Sequence, residues 1–151
     1  MLGQGQGMAL APVLVVEFDG SVRDVLRDIF TDAGYRVYAA TTDAAAFDFL
    51  AQSPDGVIAL CSNKDADHHL SAAFFAHVVA DERLASRHQY LMLSTNRSLM
   101  PPDLQAHLAQ LDATILPKPF DVDTLLARVR ESAARLAPTH THTRIQTRPS
   151  E

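Results

Sequence analysis

From residue 12 onward, apolar positions along this chain change their spacing in a regular way. Val13, Leu14, Val15 and Val16 form an unbroken apolar run that stops at Glu17. A run without alternation is the pattern of a strand buried on both faces, as in a parallel sheet. Gly20 and Ser21 follow as turn and N-cap candidates, and Val22, Val25, Leu26, Ile29 and Phe30 then fall on one helical stripe, which Gly34 ends. The unit recurs in kind. Residues 35–39 read as a second strand, and Asp43 caps a helix that carries Phe47 and Leu50 and stops before Pro54. Residues 56–61 read as an apolar third strand, followed by a polar loop over 62–67 and a third helix marked by Leu70, Ala73, Phe74 and Val78. Residues 90–93 read as the fourth strand. Pro101 and Pro102 open a fourth helix with Leu104, Leu108 and Leu111 inward. Residues 113–116 read as the fifth strand, and Asp121 opens a fifth helix with Val122, Leu125, Leu126 and Val129 on one face.

Strict alternation of strands and helices predicts an α/β fold, an open parallel sheet covered on both faces through right-handed crossovers. Composition agrees: 47% hydrophobic and 21% charged residues exclude a wholly disordered chain. At 151 residues the chain sustains one core, expected over residues 12–136. Residues 1–11, with three glycines between polar residues, are expected to form a flexible leader, with Met8 as an alternative start. They lack the charged and apolar regions of a signal peptide. Residues 137–151 have no apolar period and are expected to form a disordered tail. No apolar run approaches the roughly 20 residues of a membrane span. A net charge of −5 argues against a nucleic-acid partner. The lone Cys61 excludes a disulfide framework and a Cys-rich zinc site, and it fits a cytoplasmic setting.

In doubly wound sheets, ligands sit beyond the carboxyl ends of the strands. Here those ends carry Glu17, Phe18 and Asp19, then Leu60 and Cys61, then Ser94 and Thr95, and finally Lys118. Acids, a hydroxyl and a lysine around one crevice suit a metal ion and a phosphoryl group.

Three segments, VLVVEFD (13–19), YLMLST (90–95) and LPKPF (116–120), give residues 12–136 a resemblance to the CheY-like response regulator receiver domain. The resemblance implies a flavodoxin-like sheet of order 2-1-3-4-5 and a role in two-component, phosphorelay signal transduction. It also implies an aspartyl-phosphate site whose parts are here incomplete. The family's adjacent acid pair becomes Glu17 and Phe18, and the second acid is the one that binds the divalent cation. Asp19, one residue on, points in a different direction. Pro54 and Asp55 match the start of the family's third-strand segment, but Leu60 stands at the acceptor position, with Cys61 beside it. Leucine offers no carboxylate for in-line attack on phosphorus. Ser94 keeps the hydroxyl that senses the phosphoryl group, and Ile115 replaces the switching aromatic. Lys118 is retained, and the resemblance implies a cis bond to Pro119.

The expectation is a pseudo-receiver acting through protein contacts, with a histidine kinase or other signalling protein as partner. A homodimer through the fourth helix, fifth strand and fifth helix is the further partner option. No enzymatic activity and no cofactor are expected; a Mg2+ ion on Glu17 and Asp19 is the exception to test. Two alternatives stand beside it: an active receiver with a displaced acceptor at Asp65, Asp19 or Cys61, and a small-ligand domain using the vacated crevice. Each candidate also has a plain structural reading. Glu17 and Asp19 suit a helix N-terminus, Lys118 would pair with Glu17, and Cys61 would be inert core. Asp65 and Asp67 would solvate a loop and cap the third helix. His68 and His69, the i, i+4 pair His77 and Asp81, and His140 and His142 of the tail are solvated surface groups by default.

Overall fold

The computed structural model describes residues 10–62, 68–94 and 100–136. The expected leader and tail fall mostly or wholly outside the described residues, as do Asp65, Asp67 and Thr95. The elements run β1 (Val13–Val16), α1 (Gly20–Asp32), β2 (Val37–Ala40), α2 (Asp43–Gln52), β3 (Ile58–Ser62), α3 (His68–Val79), α4 (Glu82–Arg87), β4 (Gln89–Ser94), α5 (Pro102–Gln110), β5 (Thr114–Pro117) and α6 (Val122–Arg135). The strands form one parallel sheet in the order β2-β1-β3-β4-β5.

Side-chain alternation divides the core into two layers. Leu14, Ala59, Cys61, Tyr90 and Met92 face α2, α3 and α5, where they meet Leu50, Phe74, Phe75, Leu104 and Leu108. Val13, Val15, Ile58, Leu60, Leu91 and Leu93 face α1 and α6, where they meet Leu26, Phe30, Leu125 and Val129. The unbroken apolar runs of β1, β3 and β4 follow from this, because both faces of each central strand are covered. Among the described residues, no helix is long and apolar enough to cross a membrane.

The structure adds one helix. The short α4 carries one buried apolar residue, Leu84, so it leaves no period in the sequence. Its N-cap is Asp81, whose carboxylate accepts from the backbone N–H of Arg83 at 3.0 Å and lies 3.7 Å from the Arg83 guanidinium. Asp81 therefore stands outside α3, and the His77 ring packs against Phe47. The cap of α2 is Thr42 rather than Asp43, its hydroxyl accepting from the Ala45 N–H at 3.1 Å. The β3 strand starts later than expected and continues to Ser62. Gly34 ends α1 as expected, with a φ of 98° that favours glycine.

His88, at the junction of α4 and β4, joins three elements. Its Nδ1 accepts from the Val57 N–H at 3.0 Å, so its Nε2 must carry the proton donated to the Leu50 carbonyl, also at 3.0 Å. Beside it, Arg87 Nη1 donates to the Ser53 carbonyl at 2.8 Å. Burial, with the Arg87 charge adding to it, lowers the imidazole pKa to about 4, against the opposing pull of the Leu50 carbonyl.

The unfolded chain therefore binds a proton on His88 that the folded chain refuses between about pH 6.5 and pH 4. Stability falls as pH drops through that window, by about 3 kcal/mol over its full width. Urea unfolding of wild type and His88→Gln at several pH values checks this; the variant keeps a donor and an acceptor and should lose the His88 part of the slope. Gly56 makes a second prediction. A Cβ there would lie 2.9 Å from the Arg87 carbonyl oxygen and 2.8 Å from Leu136 Cδ2. Gly56→Ala should lower stability by roughly 1–3 kcal/mol in the same assay, since the backbone oxygen has little freedom to yield.

Candidate functional site

Parallel register brings the carboxyl ends of β1, β3 and β4 to one edge of the sheet. Val16 pairs with Cys61, so Glu17 stands level with Ser62; Ser62 pairs with Leu93, one residue before Ser94. Glu17 is 2% exposed. Its Oε2 accepts from the Asp19 N–H at 2.8 Å, and its Oε1 has no hydrogen-bond partner among the described residues. The hydroxyls of Ser62 and Ser94 are likewise buried without partners among the described residues. The Lys118 N–H donates to the Ser94 carbonyl at 2.9 Å and ties the end of β5 to this edge. The Lys118–Pro119 bond is cis, as the resemblance implied.

Asp19 is taken up by α1. Its Oδ1 accepts from the N–H groups of Ser21 at 2.8 Å and Val22 at 3.1 Å, which makes it the N-cap. Arg23 folds back over the same turn, donating from Nη1 to the Glu17 carbonyl at 3.0 Å. Phe18 is 58% exposed and faces away from the core. Among the described residues no group of three or more His, Cys, Asp or Glu side chains is placed to hold a metal ion.

Leu60 is fully buried in the layer under α1 and α6. It sits two residues inside the end of β3, between Val15 and Leu91. Ile115 is half-buried and packs against the layer under α2, α3 and α5. Cys61 lies in that layer at 2% exposure, and burial, reinforced by the Asp43 charge, pushes its thiol pKa strongly upward. The edge thus joins Glu17, Ser94 and Lys118, while Asp19, Phe18, Leu60 and Cys61 are drawn elsewhere. Ser62 and His88 were not expected: both lie in segments whose apolar neighbours dominate the pattern, and no local signal sets them apart.

A protonated thiol in a packed layer is a poor nucleophile. The native protein should therefore leave Cys61 unalkylated by iodoacetamide at pH 8 and become modified once denatured. Intact mass spectrometry of both samples checks this, and rapid native alkylation would contradict the burial of the thiol.

No protein-family model matches the chain, and no curated protein matches it. Solved structures do. The chemotaxis protein CheY4 of Vibrio cholerae is 26% identical, with a TM-score of 0.63, covering 82% of this chain and 99% of that one. A CheY-like response regulator receiver domain protein from Methanospirillum hungatei JF-1 is 19% identical, with a TM-score of 0.67, covering 82% and 95%. The receiver domain of a signal transduction histidine kinase from Syntrophus aciditrophicus is 18% identical, with a TM-score of 0.65, covering 85% and 94%. With its 2-1-3-4-5 parallel sheet and helices on both faces, the chain has the fold of CheY-like response regulator receiver domains.

Proposed function

We propose that this chain is a receiver-like protein of two-component signal transduction that works without phosphorylation, through contact with a histidine kinase or another signalling protein. The observation that carries the reading is the end of β3, where no carboxylate stands: Leu60, at the position the receiver resemblance gives the phosphoacceptor, is fully buried, and Cys61 and Ser62 complete the strand. Phe18, in the place of the cation-binding acid, points the same way, because a loaded receiver site needs two carboxylates around one divalent ion. The displaced-acceptor alternatives among the described residues lose ground. Asp19 is occupied as a helix cap, and Cys61 is buried as a thiol. Ser94 and Lys118 remain at the strand ends as the part of the site that this sequence keeps. The surface formed by α5, β5 and α6, with Asp103 on α5 and Asp123 and Arg130 on α6, is the one on which a second copy would pair.

Intact mass after incubation with acetyl phosphate and magnesium tests the proposal. Wild type should stay unmodified, and uptake of a phosphoryl group by wild type would overturn it. The Phe18→Asp, Leu60→Asp double variant supplies both missing carboxylates, with a thermal melt to establish that it folds, since a carboxylate at Leu60 enters an apolar layer. Phosphorylation of the folded variant supports Leu60 as the vacated acceptor position. A folded variant that stays unmodified counts against that assignment.

A further inference from the structure

At the foot of the sheet, opposite the edge that carries Glu17 and Ser94, a cleft of about 400 Å³ opens between β2 and α2. This is the size of a small-molecule site. One wall is aromatic: the rings of Tyr38 and Phe49 lie 4.9 Å apart, tilted by 40°. Tyr38 is 39% exposed although it sits on a strand, so its ring is available to a ligand. Arg36 also lines the cleft, and its guanidinium makes no hydrogen bond or ion pair among the described residues. The Gln52 carboxamide also lines the cleft. The lining segment from Ser53 to Val57 is held at both ends: Arg87 donates to the Ser53 carbonyl, and His88 accepts from the Val57 N–H. A wall braced at both ends does not have to be ordered when a ligand arrives.

We propose that this cleft binds a small aromatic monocarboxylate. The ring packs on Tyr38 and Phe49, and the carboxylate takes the planar, two-pronged donor set of Arg36. Asp55 also lines the cleft. The site is independent of phosphorylation chemistry. It gives the chain a chemical input at the end of the sheet remote from Ser94 and Lys118.

Phenylacetate is the probe, with inorganic phosphate (anion without ring) and benzyl alcohol (ring without anion) as controls. Titration followed by amide NMR and by thermal shift should show saturable phenylacetate binding with a Kd of about 1 mM or tighter, and much weaker binding of both controls. The shifted amides should cluster at Arg36, Tyr38 and Gln52. Arg36→Gln should weaken phenylacetate about tenfold or more, whereas Arg128→Gln, on the exposed face of α6, should leave it unchanged. Arg36 is exposed, and Arg128 is half-buried in a surface pair with Glu131, so a thermal melt of each variant keeps loss of fold from confounding the comparison. The proposal is overturned by any of three results: no saturable binding up to roughly 10 mM, amide shifts grouped at Glu17, Ser62 and Ser94 instead, or indifference to Arg36→Gln.

Discussion

Covering both faces of the central strands is the constraint from which the other features of this molecule follow. β1, β3 and β4 carry apolar side chains above and below the sheet, and two helical layers close over them. Each fully buried leucine or valine contributes on the order of 2 kcal/mol of apolar burial. The layers therefore fix the register, because a slip of one residue would exchange the two faces of a strand. Register in turn decides which residues reach the carboxyl edge. It places Glu17, Ser62 and Ser94 there and leaves Leu60 two residues inside.

The same constraint explains why the edge is unevenly furnished. A carboxylate at position 60 would need a charge partner or a hydrogen-bond network to offset its burial, and its neighbours across the sheet are Val15 and Leu91. Leucine resolves that conflict in favour of the core. Glu17 is tolerated because one of its oxygens accepts from the Asp19 N–H at the turn into α1. Asp19, in capping α1, exchanges availability for a ligand for satisfaction of two helix N–H groups. The edge therefore carries one buried acid, two buried hydroxyls and the lysine segment tied to Ser94.

The opposite end of the sheet is organised by polar contacts over long sequence separations. His88 reaches Leu50 and Val57, and Arg87 reaches Ser53, so the end of α2, the start of β3 and the start of β4 are tied together. Gly56 is the close-packing point within it, with Leu136 at the end of α6 and the Arg87 carbonyl both against it. Aromatic surface and an arginine without an ion-pair partner among the described residues then meet in the cleft beside α2. Rigidity at this foot has its origin in buried hydrogen bonds, whereas the carboxyl edge rests on apolar packing.

Much of this was legible in the order of residues. The runs 13–16 and 56–61, the helical stripe from Val22 to Phe30 and the alternation of the two patterns determined a parallel α/β sheet, because hydrophobic period reports directly which faces must be covered. The Lys118–Pro119–Phe120 segment after an apolar strand marked the end of β5 for the same local reason. Helix α4 escaped because six residues with one buried leucine have no period to read. The cap of α2 was misplaced by one residue because Thr42 and Asp43 are both competent caps, and backbone direction alone separates them. The tertiary structure decided the rest: that Asp19 closes a helix, that Ser62 joins the edge, that His88 is a buried neutral brace, and that Arg36, Tyr38 and Phe49 share one cleft. Each depends on residues far apart in the chain arriving side by side, and no local pattern of side chains encodes that distance.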